Sequence, residues 1–330
     1  MKSISKKELN ELINSGIEEF NDLIISDIKS NECNFDNLTF NRCEFKGLKL
    51  TDTSLTNICF NESKFLDCDF SESKLNMVSF KYSNLENVDF NKCIDNSREQ
   101  YSWASNNFKK CRFESVEVLS SIEIVGCSFF SCNFENAFIK CPEFCNGKIE
   151  DCNMKHINID SCMGGNKFID VNLEQSNIES FFYTNNFQNV NFKKACINGP
   201  IGLDSKKFSN CILQECDLFG LDSPSKIELE GFNLEKIIIE DGNWRNSDLK
   251  DCNLTEANMK ETDLSGSNLE NAILKSANLE GANLKNSNLK NADLEGANFS
   301  GAVLDGVRIL RKDYKYIEQY IDESKVVFEN

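Results

Sequence analysis

Sixteen cysteines and one histidine, His156, are the residues of this 330-residue chain best suited to nucleophilic, redox or metal chemistry. A Ser-His-Asp or Cys-His arrangement needs a histidine that is buried and held in orientation by a third group. Zinc needs thiolates and imidazoles converging from several directions. No cysteines are spaced as Cys-x-x-Cys; the nearest approach is Cys141 and Cys145, with three residues between them. Carboxylates abound, 53 acidic against 36 basic residues, for a net charge of -17. Adjacent acids such as Glu240 and Asp241 are ordinary at that density and read as solvated surface. The glycines form no phosphate-binding loop. The acidic balance disfavours nucleic acid and anionic membranes and suits a basic partner.

What must position these residues is a repeat. An apolar residue recurs at every fifth position: Leu229, Leu234, Ile239, Trp244, Leu249, Leu254, Met259, Leu264 and onward to Phe299, Leu304 and Ile309. A second run spans Phe35, Phe40, Phe45, Leu50, Leu55, Phe60 and onward to Leu85 and Phe90. Two residues before each such centre stands a small or apolar residue, as at Ser247, Cys252, Ala257 and Thr262. Successive fives rotate by about 140° on an α-helix and alternate faces on a strand, so neither element buries them. The chain must therefore turn a corner every five residues, two residues inward and three outward. Asn, Asp, Gly and Ser near each corner suit repeated tight turns.

The A-[DN]-L-x-x pattern resembles the pentapeptide-repeat family over roughly residues 20–310. The resemblance implies an all-β solenoid: a right-handed quadrilateral parallel β-helix, four pentapeptides per coil, with a solid interior. At roughly 14 coils of about 4.8 Å, the rod would be about 65–70 Å long. Cys33, Cys43, Cys68, Cys93, Cys111, Cys127, Cys132, Cys152, Cys211, Cys216 and Cys252 fall in the small inward slot, where a thiol acts as a small hydrophobe. Cys111, Cys132 and Cys152 are expected to stack. His156 falls two residues after the centre Met154, an outward corner. No catalytic, cofactor or metal site is expected.

Residues 91–228 break the period, but each misfit falls on one side of the coil. Met163, Phe182 and Leu203 serve there as makeshift centres, beside Pro142, Pro200 and Pro224. One irregular face near 160–228 is therefore expected within a single continuous solenoid over 20–310. Residues 93–103 offer no fitting centre and read as a projecting loop or short helical excursion. Residues 1–19 form an N-terminal helical cap, with a capping box at Ser5 and Glu8 and a terminating Gly16. Residues 311–330 form a C-terminal cap, with a helix over 312–323 whose stripe is Tyr314, Ile317 and Ile321.

A solenoid of this kind presents a long surface whose outward residues vary without disturbing the core. The expectation is a non-enzymatic protein-interaction scaffold, with Arg98, Tyr101, Trp103 and Trp244 as candidate partner-binding residues. Members of the family that protect DNA gyrase and topoisomerase IV from quinolones are thought to mimic B-form DNA. The resemblance thus implies, as an alternative, a type II topoisomerase as partner. A duplex of that length carries about 40 charges, well above this chain's net -17. A structural part of a larger assembly is a third reading. A monomer, or a homodimer through the C-terminal end, is expected. With no apolar run long enough for a signal or a membrane span, so is a cytoplasmic location with reduced thiols.

Overall fold

A computed structural model describes residues 1–95, 102–118, 123–180, 184–198, 206–220 and 226–329. They form two compact units, Met1–Leu173 and Glu174–Asn330. Each is a right-handed quadrilateral parallel β-helix.

The five-residue unit works as its chemistry demands. In the pentapeptide of Phe40, Leu38 and Phe40 are buried, and Arg42 turns the corner at φ 52°. The residue two after the centre takes this left-handed conformation at corner after corner, including Glu62, Tyr82, Lys92 and His156. Such a backbone costs an L-residue roughly 1–2 kcal/mol. It persists because each coil then offers its N–H and C=O groups to the next. Leu274 donates to Asp293, Leu279 to Asn298 and Leu284 to Val303, each at 2.8 Å.

In the N-terminal unit the first side stacks Ile25, Phe45, Phe65, Leu85, Phe108, Phe129, Ile149 and Phe168 in register. Successive turns therefore take 20 residues up to Leu85, then 23, 21, 20 and 19. The variation lies between the third and fourth sides. Third-side Asp95, Val118, Ile139 and Ile159 are followed by fourth-side Trp103, Ile124, Phe144 and Met163, at intervals of eight, six, five and four residues. In this unit the irregularity precedes the fourth side, whereas the sequence predicts the irregular face near 160–228, mostly beyond it. Its continuation at Phe182, Pro200, Leu203 and Pro224 lies outside the described residues.

The segment 93–103 is corrected in part. Cys93 fills an inward slot, and Asp95 occupies a centre between Leu75 and Val118. Trp103 is a centre between Phe80 and Ile124. A carboxylate at a centre is invisible to a search for apolar periodicity. Residues 96–101, with Arg98 and Tyr101, lie outside the described residues.

The C-terminal unit becomes regular from Leu229. Isolated bridges join Glu228, Asp248, Asn268, Asn288 and Arg308 at intervals of 20.

Both ends are closed within the chain. A strand, Lys2–Ile4, precedes the expected helix and pairs in parallel with Leu23–Ser26. The helix, Lys6–Asn14, has the expected capping box, and Gly16 follows it at φ 86°. At the other end the expected α-helix over 312–323 is replaced. There is a 3-10 turn over Arg311–Tyr316, another over Glu323–Lys325, and a strand, Val327–Glu329, parallel to Arg308–Leu310. The strand continues the ladder, with Val327 donating to the Val307 carbonyl at 2.9 Å, which a helix cannot do. Ile317 is fully buried, and the Tyr320 ring lies 6.1 Å from Phe299 in the last coil.

Candidate interaction surface

The interior is filled by side chains. An apolar void of about 10 Å³ lies among Trp103, Val116, Val118 and Ile124 in the N-terminal unit. It is too small and too dry for a substrate. No group of three or more His, Cys, Asp or Glu able to hold a metal occurs among the described residues.

The cysteines occupy the places their spacing indicates. Cys111, Cys132 and Cys152 are buried on the second side of consecutive coils, and the Cys132 N–H donates to Cys152 Sγ at 3.4 Å. Hydrogen bonding to Cys111 and burial push the Cys132 thiol up to about 12. Hydrogen bonding to Cys132 and burial raise Cys152 as well. Burial alone dominates at Cys93 and Cys127, both pushed up to about 12. A raised thiol is a poor nucleophile and a poor metal ligand at neutral pH. The stack is a core column, in which thiols donate to backbone carbonyls such as that of Phe108. His156 is exposed at its corner.

Two proposed anchors are corrected. Trp103 and Trp244 are 3% and 0% exposed, so neither indole reaches a partner. Both stand at centres, where the repeat turns side chains inward. Gly242 makes room for Trp244: a Cβ there would lie 2.9 Å from the indole. The spacing of Trp244 from Leu249 and Leu264 already places it at a centre.

The outward positions carry the surface chemistry. In the C-terminal unit the residue before each centre is often Asn or Asp, and its side-chain oxygen accepts the N–H two residues on. Asn253 serves Thr255 in this way at 3.1 Å. The Asn amide then donates one coil back, as Asn278 does to Asn258 and Asn298 to Asn278, at 3.1 and 3.2 Å. One position beyond the centres, charges alternate along the stack. Lys250 meets Glu230 at 3.4 Å, Lys260 meets Glu280 at 3.3 Å, and Lys275 meets Glu295 at 2.7 Å. Hydrogen bonds to these glutamates raise all three lysines. Sequence reading missed this pairing, although the 20-residue offset between opposite charges is its signal.

Among the described residues, no helix is long and apolar enough to cross a membrane. These features define a class, the closed-core β-solenoids built on a five-residue unit. Residues 240–271 and 272–309 match the protein-family model for pentapeptide repeats, with eight copies, and the same unit continues through the earlier coils. Residues 240–309 are thus pentapeptide repeats in the sense of that family. It is similar to HetL of the cyanobacterium Nostoc sp. strain PCC 7120, a pentapeptide repeat protein involved in heterocyst differentiation regulation. The identity is 19% over 92% of this chain and 96% of that one, with a TM-score of 0.24. It is more distantly similar to full-length QnrB1, a plasmid-mediated fluoroquinolone resistance protein. There the identity is 13% over 91% of this chain and 98% of that one, with a TM-score of 0.19. A pentapeptide repeat protein of the Arabidopsis thaliana thylakoid lumen is 24% identical over 33% of this chain and 77% of that one, with a TM-score of 0.20. No curated protein matches the chain.

Proposed function

We propose that the chain is a non-enzymatic scaffold that binds other proteins through its outward corners and ladders. The supporting observation is the division of labour within each pentapeptide. Two residues fill the core, and the outward ones are free to carry recognition. Photo-crosslinkers placed at outward positions 250, 270 and 280, and at inward position 274 as control, test this. Crosslinks to partner proteins should form from outward positions only. Charge reversals there should change the partners captured while leaving thermal unfolding in place. Partners that are indifferent to every outward substitution would overturn the reading.

A narrower reading, a type II topoisomerase bound through a DNA-like acidic surface, draws on the net charge of -17 and on the resistance function in the name of QnrB1. Against it stands the charge pairing along the regular coils, since duplex DNA offers no alternating cations. A gyrase supercoiling assay with ciprofloxacin decides this narrower reading. No protection and no inhibition at micromolar protein removes it and leaves the scaffold intact.

A further inference from the structure

The third side of the N-terminal unit contains a break in its hydrogen-bond ladder. On later coils the residue before each centre donates its N–H to the carbonyl two residues before the preceding centre. Lys74 donates to Thr53 at 2.9 Å, Ile94 to Ser73 at 3.1 Å, Glu117 to Cys93 at 2.9 Å and Phe138 to Val116 at 2.8 Å. Ser54 is the equivalent donor one coil earlier, and the Cys33 carbonyl is its equivalent acceptor. Among the described residues that bond is not made, and Phe35 does not donate to Ser54 as Leu50 does to Asp69. The strand Ser54–Asn61 pairs from Ser54 onward with Lys74–Lys81 on one edge. On the other edge the backbone bonds to the first coil resume at Thr56, whose carbonyl accepts from the Asn37 N–H at 3.0 Å, and strand pairing with Thr39–Asn41 begins at Cys59.

Local chemistry holds the first coil away. The Thr56 N–H is taken by Asp36 Oδ1 at 2.8 Å. The preceding turn is tied to the N-terminal helix, Asn10 Nδ2 donating to the Glu32 carbonyl at 2.7 Å and Lys6 Nζ to Glu32 Oε1 at 2.8 Å. Ser30 stands where later coils have Leu50 and Phe70, and its hydroxyl lies 3.0 Å from the Thr51 carbonyl. The result is a groove of about 440 Å³, with Phe35, Leu50 and Leu55 at its base and Asn34, Asp36 and Thr53 at its rim.

A sheet edge with an open N–H and C=O is a template for another strand. We propose that this groove takes an extended segment of a partner protein, which completes the ladder at Ser54 and places a lysine or arginine beside Asp36. The proposal narrows the scaffold reading to one site. Recognition is by backbone bonds at exposed Ser54 and by charge at Asp36, which has no ion-pair partner among the described residues.

The test uses the full chain and a fluorescein-labelled peptide, acetyl-Lys-Val-Thr-Val-Lys-amide. Its analogue N-methylated at both valines and the threonine is the control. In the free chain the Ser54 amide should exchange with solvent at least 100-fold faster than the Lys74 amide. The peptide should slow Ser54 exchange at least ten-fold, and the methylated analogue should not. Asp36→Asn should weaken peptide binding three- to ten-fold. Ser54→Pro, which removes an N–H the fold does not use, should abolish binding with unchanged thermal unfolding. A Ser54 amide already protected in the free chain, equal binding of both peptides, or no slowing by either overturns the site. A chain that ignores the peptide but crosslinks partners elsewhere loses this site and keeps the scaffold reading.

Discussion

The coils from Leu229 to Ile309 and those of the N-terminal unit use one backbone plan with different fillings. The former have centres that are mostly leucine, slots that are mostly Ala, Ser, Thr and Cys, and an unbroken interval of 20. The latter are aromatic. Phe40, Phe60 and Phe80 stack at 5.5 and 5.1 Å and meet Phe45 and Phe65 edge-on. On the second side Phe70, Phe90, Phe113 and Phe134 stack at 5.3, 5.1 and 4.6 Å with rings within 6° of parallel. That column runs unbroken through the turns of 23 and 21 residues. The extra residues fall between the third and fourth sides, so the ring column keeps its register. The aromatic half contains both the void and the open ladder. The leucine half pairs some of its outward charges from coil to coil.

The contrast makes predictions, the largest of which concerns pH. Cys68, Cys93, Cys127, Cys132 and Cys141 of the N-terminal unit are pushed up to about 11 or 12, chiefly by burial and at Cys132 first by Cys111. A folded-state pKa above the unfolded value of about 8.5 gives stability that is full below 8.5 and lost as pH rises toward 12. Each such thiol costs about 2 kcal/mol by pH 10. Hydrogen exchange between pH 8 and 10, corrected for intrinsic rates, should show the N-terminal unit opening first. The coils after Cys252, which contain no cysteine, should hold. Uniform loss would break the comparison.

Next, Phe60→Ala should cost about 3–5 kcal/mol in urea unfolding, with exchange protection lost mainly in adjoining coils. Asn166→Ala should cost about 2–3 kcal/mol. Buried Asn166 accepts from the Gly147 N–H at 2.8 Å and donates to the Phe144 carbonyl at 2.7 Å, stitching the corner where the irregular side returns to the first. In the leucine half, Gly266→Ala should destabilise more than Gly231→Ala, by about 1–2 kcal/mol. Both have φ above 70°, but a Cβ at Gly266 would lie 2.4 Å from Asn246 Oδ1, and nothing lies within 4 Å at Gly231. The smallest effect is at Lys275→Ala, whose exposed pair with Glu295 should leave the unfolding midpoint unchanged within error.

Much of the fold was legible because five-residue spacing admits so few solutions. The centres, the inward cysteines and the outward His156 stand where the period puts them. The candidate surface was less legible. Trp103 and Trp244 were misassigned because indoles are common at interfaces, and their place in the period should have outweighed that tendency. Asp95 was missed because it is an acid at an apolar position. The open edge at Ser54 could not be read from sequence. Ser30, Asp36 and Glu32 act there through contacts with residues 20 or more positions away, such as Thr51, Thr56 and Lys6.

The sequence by itself determined which two residues of each five turn inward, and so a core filled by side chains. Tertiary structure decided the rest. Glu62, Tyr82 and Lys92 adopt a left-handed backbone that their own preferences oppose, because the stacked ladder on both sides compensates for the local cost. Where that stacking stops, at the first coil and the last, local chemistry regains control. There a strand takes the place of the expected C-terminal helix, and the ladder at Ser54 stays open.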